Sequence, residues 1–141
     1  MVKTPLAYRL FFLHIEPVAT FAGAVVAFFS QNWYYHGSDP TLATAPVSAR
    51  EQIVANQLAN MYMVFALNEA LVLRATSSRR IWSVLLFGLL LADLGHLYSV
   101  HPAGPDVYWR FWDWNSLYWG HIGFVYAGAS LRVAYLLGVG L

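Results

Sequence analysis

Four long apolar runs constrain the fold of this chain more than any other feature. They cover roughly residues 5–30, 52–74, 80–100 and 115–137. Each approaches or exceeds the ~20 residues that an α-helix needs to cross about 30 Å of hydrocarbon. Only 11% of the residues are charged, whereas a soluble domain carries about 25%. The sequence therefore predicts an all-α fold, a four-helix transmembrane bundle that forms a single membrane domain over residues 1–141.

The segments between the runs are predicted to be loops. Residues 37–51 are rich in Gly, Pro, Ser and Thr, residues 75–80 form a tight turn, and residues 101–115 open on Pro and Gly and close on aromatic side chains. The first run is too long for a cleavable signal peptide and continues into aromatic residues, not into a small-residue cleavage site. It is therefore predicted to be the first span.

The distribution of charge predicts the orientation. With four spans, both termini and the 75–80 turn share one side, which carries most of the basic residues and no acid outside the spans. The positive-inside rule therefore places both termini in the cytoplasm. No retrieval signal is present, so the endoplasmic reticulum is the default membrane. The basic residues are Lys3, Arg9, Arg74, Arg79, Arg80 and Arg132, and the acids of the opposite side are Asp39, Glu51, Asp106 and Asp113.

Aromatic side chains gather on the predicted non-cytoplasmic side. They form either an interfacial belt or a lid over a lipid-facing pocket, and the two interpretations are compatible. Five of the six tryptophans lie there: Trp33, Trp109, Trp112, Trp114 and Trp119.

Three acidic side chains fall inside the predicted spans. A charge at that depth costs at least ~2.5–3.5 kcal/mol on insertion scales, so it is normally turned inward and is functional or paired. Glu16 and Asp93 both come out about 15–20 Å from the cytoplasmic end, near the middle of the bilayer. Glu69 comes out about 8 Å from that end, at the level of Arg132. A Glu69–Arg132 ion pair is predicted, in which Arg9 could take the place of Arg132. The alternative for Glu69 is a charge relay or a substrate clamp at the pocket floor.

Histidine and asparagine extend this polar group. His96 follows Asp93 by three residues and therefore shares its helix face. Asn60 and His121 come out at a similar depth, so the predicted inward cluster is Glu16, Asn60, Asp93, His96 and His121. For any one of these residues, the alternative is interhelical hydrogen bonding worth ~0.6–2 kcal/mol.

The cluster predicts acid–base chemistry. Two carboxyl groups in a low-dielectric cavity cannot both ionise cheaply, so one keeps its proton while the other can accept one. Such a site suits isomerisation, cyclisation or epoxide opening of a lipophilic substrate. Asp93, tuned by His96, is the predicted donor and Glu16 the base, or the roles are reversed. The residues predicted to bind substrate are Asn60, Glu69, Tyr98, Trp119 and His121.

Several other function classes are not favoured. The chain has no cysteine, which excludes disulfides and thiolate metal sites, and its net charge of +1 gives no argument for nucleic acid. The histidines lack HxxxH or HExxH spacing, so no metal site is predicted. No nucleotide motif is present, and no cofactor is expected. The expected partners are a lipophilic small molecule and membrane lipid.

Two other classes stay open beside the enzyme. The first is a non-catalytic sterol-binding, lipid-binding or scaffolding membrane protein that uses the same pocket. The second is a proton-coupled carrier, for which four spans are few unless the protein forms a homodimer. Small residues at helical spacing on the third span, Gly88, Ala92, Gly95 and Ser99, would let another helix approach closely.

Several short motifs carry a resemblance that covers nearly the whole chain. They are IEP at 15–17, NEA at 68–70, ADLGHLYS at 92–99 and WG at 119–120. With these motifs the chain resembles a fungal family of small four-pass membrane proteins of uncharacterised function. More remotely it is similar to the emopamil-binding-protein-like (EXPERA) superfamily. That likeness implies a sterol-sized pocket with buried acids, to which Glu16, Glu69, Asp93 and Trp119 are similar in kind. The resemblance implies a terpenoid, polyketide or sterol-like substrate in secondary metabolism.

Overall fold

A computed structural model describes residues 4–42 and 44–141 of the chain. In this part of the chain all regular structure is helical, which confirms the all-α prediction. Short 3-10 turns separate α2 from α3 and α4 from α5. The five main helices are α1 (Leu6–Phe29), α2 (Gln31–Ser38), α3 (Ala49–Ala75), α4 (Arg79–Ser99) and α5 (residues 116–136).

The four long helices coincide with the four predicted spans. Among the described residues, two segments are long and apolar enough to cross a membrane, Leu6–Phe29 and Arg79–Ala103. Helix α3 is less apolar than these two segments because amide and carboxyl side chains lie along it. Helix α5 is less apolar because it carries histidine, arginine and several glycines. Four membrane spans therefore stay a prediction.

Backbone contacts divide the chain into two compact units, an N-terminal unit Thr4–Ser77 and a C-terminal unit that begins at Ser78. The N-terminal unit contains α1, α2 and α3, and the C-terminal unit contains α4 and α5. The single membrane domain expected from the sequence stays a prediction.

In the N-terminal unit α1 packs against α3. The buried face of α3 carries small side chains, Ala55, Ala59 and Ala66, which allow a second helix to come close. On α1, a Cβ added at Gly23 would lie 3.6 Å from the ring of Tyr62, so the two helices are already in ordinary van der Waals contact there. Small residues therefore determine how these two helices meet.

Helix α1 contains a π-helical segment, Phe11–Ile15, directly before Glu16 and Pro17. Proline has no backbone N–H, so Pro17 cannot donate to the carbonyl of Leu13 four residues earlier. The guanidinium of Arg74, from the end of α3, donates to that carbonyl and also to the carbonyl of Ala70 at 2.8 Å. A side chain of the neighbouring helix thus satisfies a backbone oxygen that the proline leaves without its usual donor.

Helix α2 is a correction to the sequence prediction, which placed an aromatic loop after the first span. The chain leaves α1 at Ser30, which has φ −123° and ψ 46°, and becomes helical again at once. Tyr34 of α2 is buried, and its hydroxyl lies 3.4 Å from that of Tyr62 on α3. The hydroxyl of Tyr35 donates to the carbonyl of Glu51. Anchoring by these two rings on α3 stabilises a helix that hydropathy does not reveal.

Helix α3 begins with a capping box. The hydroxyl and the backbone amide of Ser48 both donate to Oε2 of Glu51 at 2.7 Å, and the amide of Glu51 donates to the Ser48 hydroxyl. The two residues therefore satisfy each other's backbone donors at the start of the helix. Hydrogen bonds from Ser48 hold the pKa of the Glu51 carboxyl below its ordinary value.

The stability of the first turn of α3 is expected to depend on pH through the capping box. The pKa of the Glu51 carboxyl is lowered in the folded state, so its ionised form stabilises the start of α3. This stabilisation is complete above the ordinary pKa of about 4.3 and is lost as the pH falls through the lowered pKa. Hydrogen exchange of the Ser48 and Glu51 amides should therefore show protection at pH 7 that declines below pH ~4.3. Glu51→Gln keeps an acceptor that does not titrate, so its protection should change far less with pH. An equal decline in both proteins would contradict the assignment.

The contact of Arg74 with α1 predicts a dependence on Pro17. Arg74→Met should destabilise the protein by about 1–3 kcal/mol, the cost of a polar group left without its partner. In a Pro17→Ala background the Leu13 carbonyl regains a donor in its own helix, so the same substitution should cost less. Thermal unfolding in detergent measures both changes, with Arg80→Met, at an exposed arginine, as the control. Equal costs in the two backgrounds would exclude this role.

Candidate functional site

The C-terminal unit is built by α4 packing against α5. Leu86 of α4 and Ile122 of α5 are both fully buried, and the rings of Trp82 and Tyr135 lie 5.8 Å apart. The contact between these two rings fixes α4 against α5 at one end. The same packing brings the polar side chains of α4 and α5 together.

An ion pair joins the two helices in the C-terminal unit. Nη1 of Arg132 donates to Oδ2 of Asp93 at 2.6 Å, and the side chains are 2% and 14% exposed. A guanidinium removed from water in this way is retained only when a counter-charge and hydrogen bonds compensate it. Asp93 is therefore a carboxylate that neutralises Arg132, a partner that the sequence did not suggest for it.

Two imidazole rings, one from each helix, also meet in this unit. His96, one helical turn from Asp93, has its ring centre 5.1 Å from that of His121, with an angle of 65° between the ring planes. Both residues are half-buried. The C-terminal unit thus brings together three of the predicted site residues, Asp93, His96 and His121, and adds Arg132. A neutral imidazole offers one donor and one acceptor, which are the groups that proton transfer requires.

Two further predicted site residues of this unit point outward. Tyr98 is 76% exposed and stacks on His101 with 5.9 Å between ring centres. Trp119 is half exposed and meets Trp114 edge to face at 5.1 Å. A Cβ at Gly123 would lie 2.9 Å from the Trp119 ring, so glycine is what lets that ring lie against α5. The predicted role of Tyr98 and Trp119 in binding substrate stays a prediction.

Hydrogen bonds tie the aromatic segment between α4 and α5 to these helices. Nε1 of Trp114 donates to the carbonyl of Val107 at 2.7 Å. The hydroxyl of Tyr108 donates to the carbonyl of Leu97, and that of Tyr126 donates to the carbonyl of Tyr108. The segment predicted from the sequence as an aromatic loop is thus a set of 3-10 turns whose rings are fixed in place.

The remaining buried acids belong to the N-terminal unit. Glu16 follows the π-helical segment of α1 and is 6% exposed, and Glu69 on α3 is 2% exposed. Both are therefore turned away from the surface, as expected for acids inside predicted spans. Because Asp93 and Arg132 lie in the other unit, proton transfer between Glu16 and Asp93 and a Glu69–Arg132 ion pair stay predictions.

Asn60 does not face inward, and its predicted place in the inward cluster is wrong. Its side chain lies on the exposed face of α3, opposite the face that contains Ala59 and Glu69. The physical reason is packing: α1 comes closest where α3 has alanines, so the bulkier amides are left on the outer side.

The glycine strip of α4 lies on an exposed part of the helix surface. Gly88 and Gly95 are exposed, and a Cβ added at either would meet nothing within 4 Å among the described residues. The strip therefore leaves room for a second helix, and a close approach there stays a prediction. The positions of metal-ligating side chains also bear on function. Residues 4–42 and 44–141 contain no group of three or more His, Cys, Asp or Glu side chains arranged to hold a metal ion.

Comparison with known proteins identifies a family but no characterised relative. A family model described as a domain of unknown function, DUF7704, matches residues 2–141. No curated protein and no solved structure matches the chain.

Removal of one partner tests the buried ion pair. Asp93→Asn leaves the Arg132 charge uncompensated and should destabilise the protein by about 3–5 kcal/mol. Asp93→Asn combined with Arg132→Gln removes both charges and should cost less than Asp93→Asn alone. Thermal unfolding in detergent measures the difference.

The matched control for this change is Asp106→Asn. Asp106 pairs with Arg110 at 3.4 Å, but both side chains are exposed, so the loss should stay below about 1 kcal/mol. Equal losses for Asp93→Asn and Asp106→Asn would show that burial does not govern the pair.

Proposed function

Since the chain belongs to the DUF7704 family, whose function is unknown, we propose a function from the chemistry of its own side chains. The protein is an integral membrane enzyme that performs acid–base chemistry on a lipophilic molecule. The observation that carries this proposal is the imidazole pair of His96 and His121 in the same unit as the buried Asp93–Arg132 ion pair. The family match agrees with the resemblance to an uncharacterised family, while the likeness to the EXPERA superfamily stays a prediction.

The membrane location is supported by helix length and by outward apolar faces. Helices α1 and α4 are long and apolar enough to cross a bilayer. The 27 residues of α3 extend about 40 Å, more than the hydrocarbon thickness. Large apolar side chains such as Phe21, Val84 and Leu91 are exposed, as expected for surfaces that contact lipid. We propose four spans, α1, α3, α4 and α5.

In this arrangement both termini lie in the cytoplasm and the default membrane is that of the endoplasmic reticulum. The arginines at the turn between α3 and α4, Arg74, Arg79 and Arg80, support that orientation. Lys3, which contributed to the same prediction, lies outside the described residues.

The ion pair changes which residues we propose for proton transfer. The sequence suggested Asp93 as the proton donor, but a carboxylate paired with a guanidinium has no proton to give. We assign proton transfer to His96 and His121, each of which can donate at one ring nitrogen and accept at the other. Asp93 and Arg132 act as positioning residues that hold α4 and α5, and therefore the two rings, together. Glu16 stays a candidate base.

The substrate class follows from the surroundings. A molecule that enters from the bilayer is lipophilic, and it needs a double bond, an epoxide or an acidic C–H for acid–base groups to act on. Isomerisation, cyclisation and epoxide opening meet this condition without an electron acceptor. We propose a terpenoid, polyketide or sterol-like molecule as the substrate, with membrane lipid as its solvent.

A binding or scaffolding protein is the rival function, and the same ion pair favours it. Asp93 and Arg132 are opposite charges in direct contact, so their burial needs no substrate to explain it. In that case the polar side chains serve helix association alone. The two functions differ in what happens to a bound molecule: an enzyme converts it, and a binding protein releases it unchanged.

Replacement of an imidazole separates these functions. His96→Gln keeps a hydrogen-bonding side chain but cannot transfer a proton, so turnover should fall about 10²–10⁴-fold. Small molecules that copurify with the protein in lipid nanodiscs, identified by mass spectrometry, provide the measurement. Wild type should hold both a substrate and its isomer or hydrated product, and His96→Gln should hold the substrate alone.

His36→Gln is the matched control, because His36 lies in α2 of the N-terminal unit and bonds the carbonyl of Ala45. It should retain the wild-type set of molecules. The same set of molecules in all three proteins would refute acid–base catalysis by this pair and support the binding function.

A further inference from the structure

The outward face of α3 carries amide side chains. Gln57, Asn60 and Asn68 are all exposed. Within the described part of the chain none of the three has a hydrogen-bond partner, although the neighbouring Asn56 accepts a hydrogen bond from Nε2 of Gln31 at 2.8 Å. An amide without a partner in hydrocarbon costs several kcal/mol, roughly 2–7 by transfer scales. The face therefore needs a partner if α3 spans the membrane.

The exposed face also has the spacing of a coiled-coil seam. Gln57, Met61, Val64, Asn68 and Leu71 follow one another at intervals of four, three, four and three residues, and all five are exposed. This alternation repeats every seven residues and places the five side chains in one stripe along a helix that pairs with a second helix. Asn60 lies beside the stripe, one residue before Met61. The seam extends for about 21 Å, from Gln57 to Leu71, most of the hydrocarbon thickness.

We propose that this seam of α3 is the contact surface for a second copy of the chain, so that the protein is a homodimer in the membrane. The proposal rests on the membrane placement of α3 proposed above but not on the catalytic chemistry. An amide is both donor and acceptor, so two identical amides satisfy each other without any other chemical group. The seam holds no charge that would repel its own copy.

Symmetry makes the pairing specific. A dimer of like-oriented membrane proteins has its two-fold axis along the membrane normal, so the two α3 helices are parallel and each residue meets its counterpart. Asn68 then faces Asn68 of the second copy, and Gln57 faces Gln57. A single asparagine within an apolar seam is a known determinant of two-stranded register. Met61, Val64 and Leu71 supply the apolar packing between the amides.

Disulfide trapping tests which face forms the contact. The chain has no cysteine, so a single Val64→Cys variant places one thiol in the seam. Val84→Cys, the same change at an exposed position of α4 near its glycine strip, is the matched control. After reconstitution of the full chain into phosphatidylcholine vesicles and mild oxidation, Val64→Cys should form covalent dimers and Val84→Cys should not. Cross-linking of Val84→Cys alone would place the contact on α4 and overturn the proposal.

Energy transfer between labelled copies in the same vesicles measures dimer affinity. Asn68→Leu should weaken the dimer about 3- to 30-fold, the range expected for one interhelical amide contact in a bilayer. Asn56→Leu makes the same change outside the seam and should leave the affinity within about twofold of wild type. A monomeric wild type at every protein-to-lipid ratio, or equal effects of the two substitutions, would overturn the dimer.

Two controls separate this proposal from the others. Resistance of the protein to alkaline extraction from membranes is measured first, because release would remove the membrane placement on which the seam depends. His96→Gln lies outside α3 and should dimerise like wild type. A dimer that retains activity in His96→Gln therefore contradicts the acid–base proposal alone, and an active monomer contradicts the seam alone.

Discussion

The ion pair between Arg132 and Asp93 is the interaction on which the C-terminal unit depends. Arg132 is 2% exposed and donates to the Asp93 carboxylate at 2.6 Å, and the cost of removing its charge from water is recovered only while that partner stays in place. Because the two charges sit on different helices, they restrict how far α4 and α5 can slide past each other. The Trp82–Tyr135 and His96–His121 contacts lie on the same two helices. The position of the imidazoles is therefore linked to the position of the charges.

The N-terminal unit satisfies the same requirement with a different pair of groups. There the group that needs a partner is the carbonyl of Leu13, whose usual donor is missing at Pro17, and Arg74 supplies the hydrogen bond from α3. In both units an arginine therefore bonds a polar group of the neighbouring helix. The difference is one of charge: Arg132 meets a full negative charge, whereas Arg74 meets a carbonyl dipole and stays exposed. An arginine without a counter-charge, such as Arg74, is tolerated at a helix end, where water is near. An arginine further inside a helix, such as Arg132, needs a counter-charge.

Helix positions were predictable from the sequence because length and hydropathy act over some twenty residues at once. Local features were not: the π-helical segment of α1 and helix α2 depend on individual side-chain contacts, such as that of Tyr34 with Tyr62. The contact of Asp93 with Arg132 was missed because depth was counted along the backbone, and a long side chain carries its charge away from its own level. Asn60 was assigned to the wrong face because a polar residue was expected inside, whereas alanines determine which face of α3 meets α1. Pairing across helices is decided by packing, which a linear pattern does not contain.

Some polar side chains of this protein have partners within their own unit, and others lie on an exposed face of α3. Asp93, Arg132 and Arg74 find partners in their own unit, whereas Gln57, Asn60 and Asn68 are carried on an outer face. The energetic rule is the same in both cases, since an amide in hydrocarbon needs a hydrogen-bond partner as a guanidinium needs a counter-charge. Amides differ in that they are uncharged and complementary to themselves, so a second copy of the same surface can supply what is missing. If α3 lies in the bilayer, association through its outer face therefore follows from the same principle that holds α4 against α5.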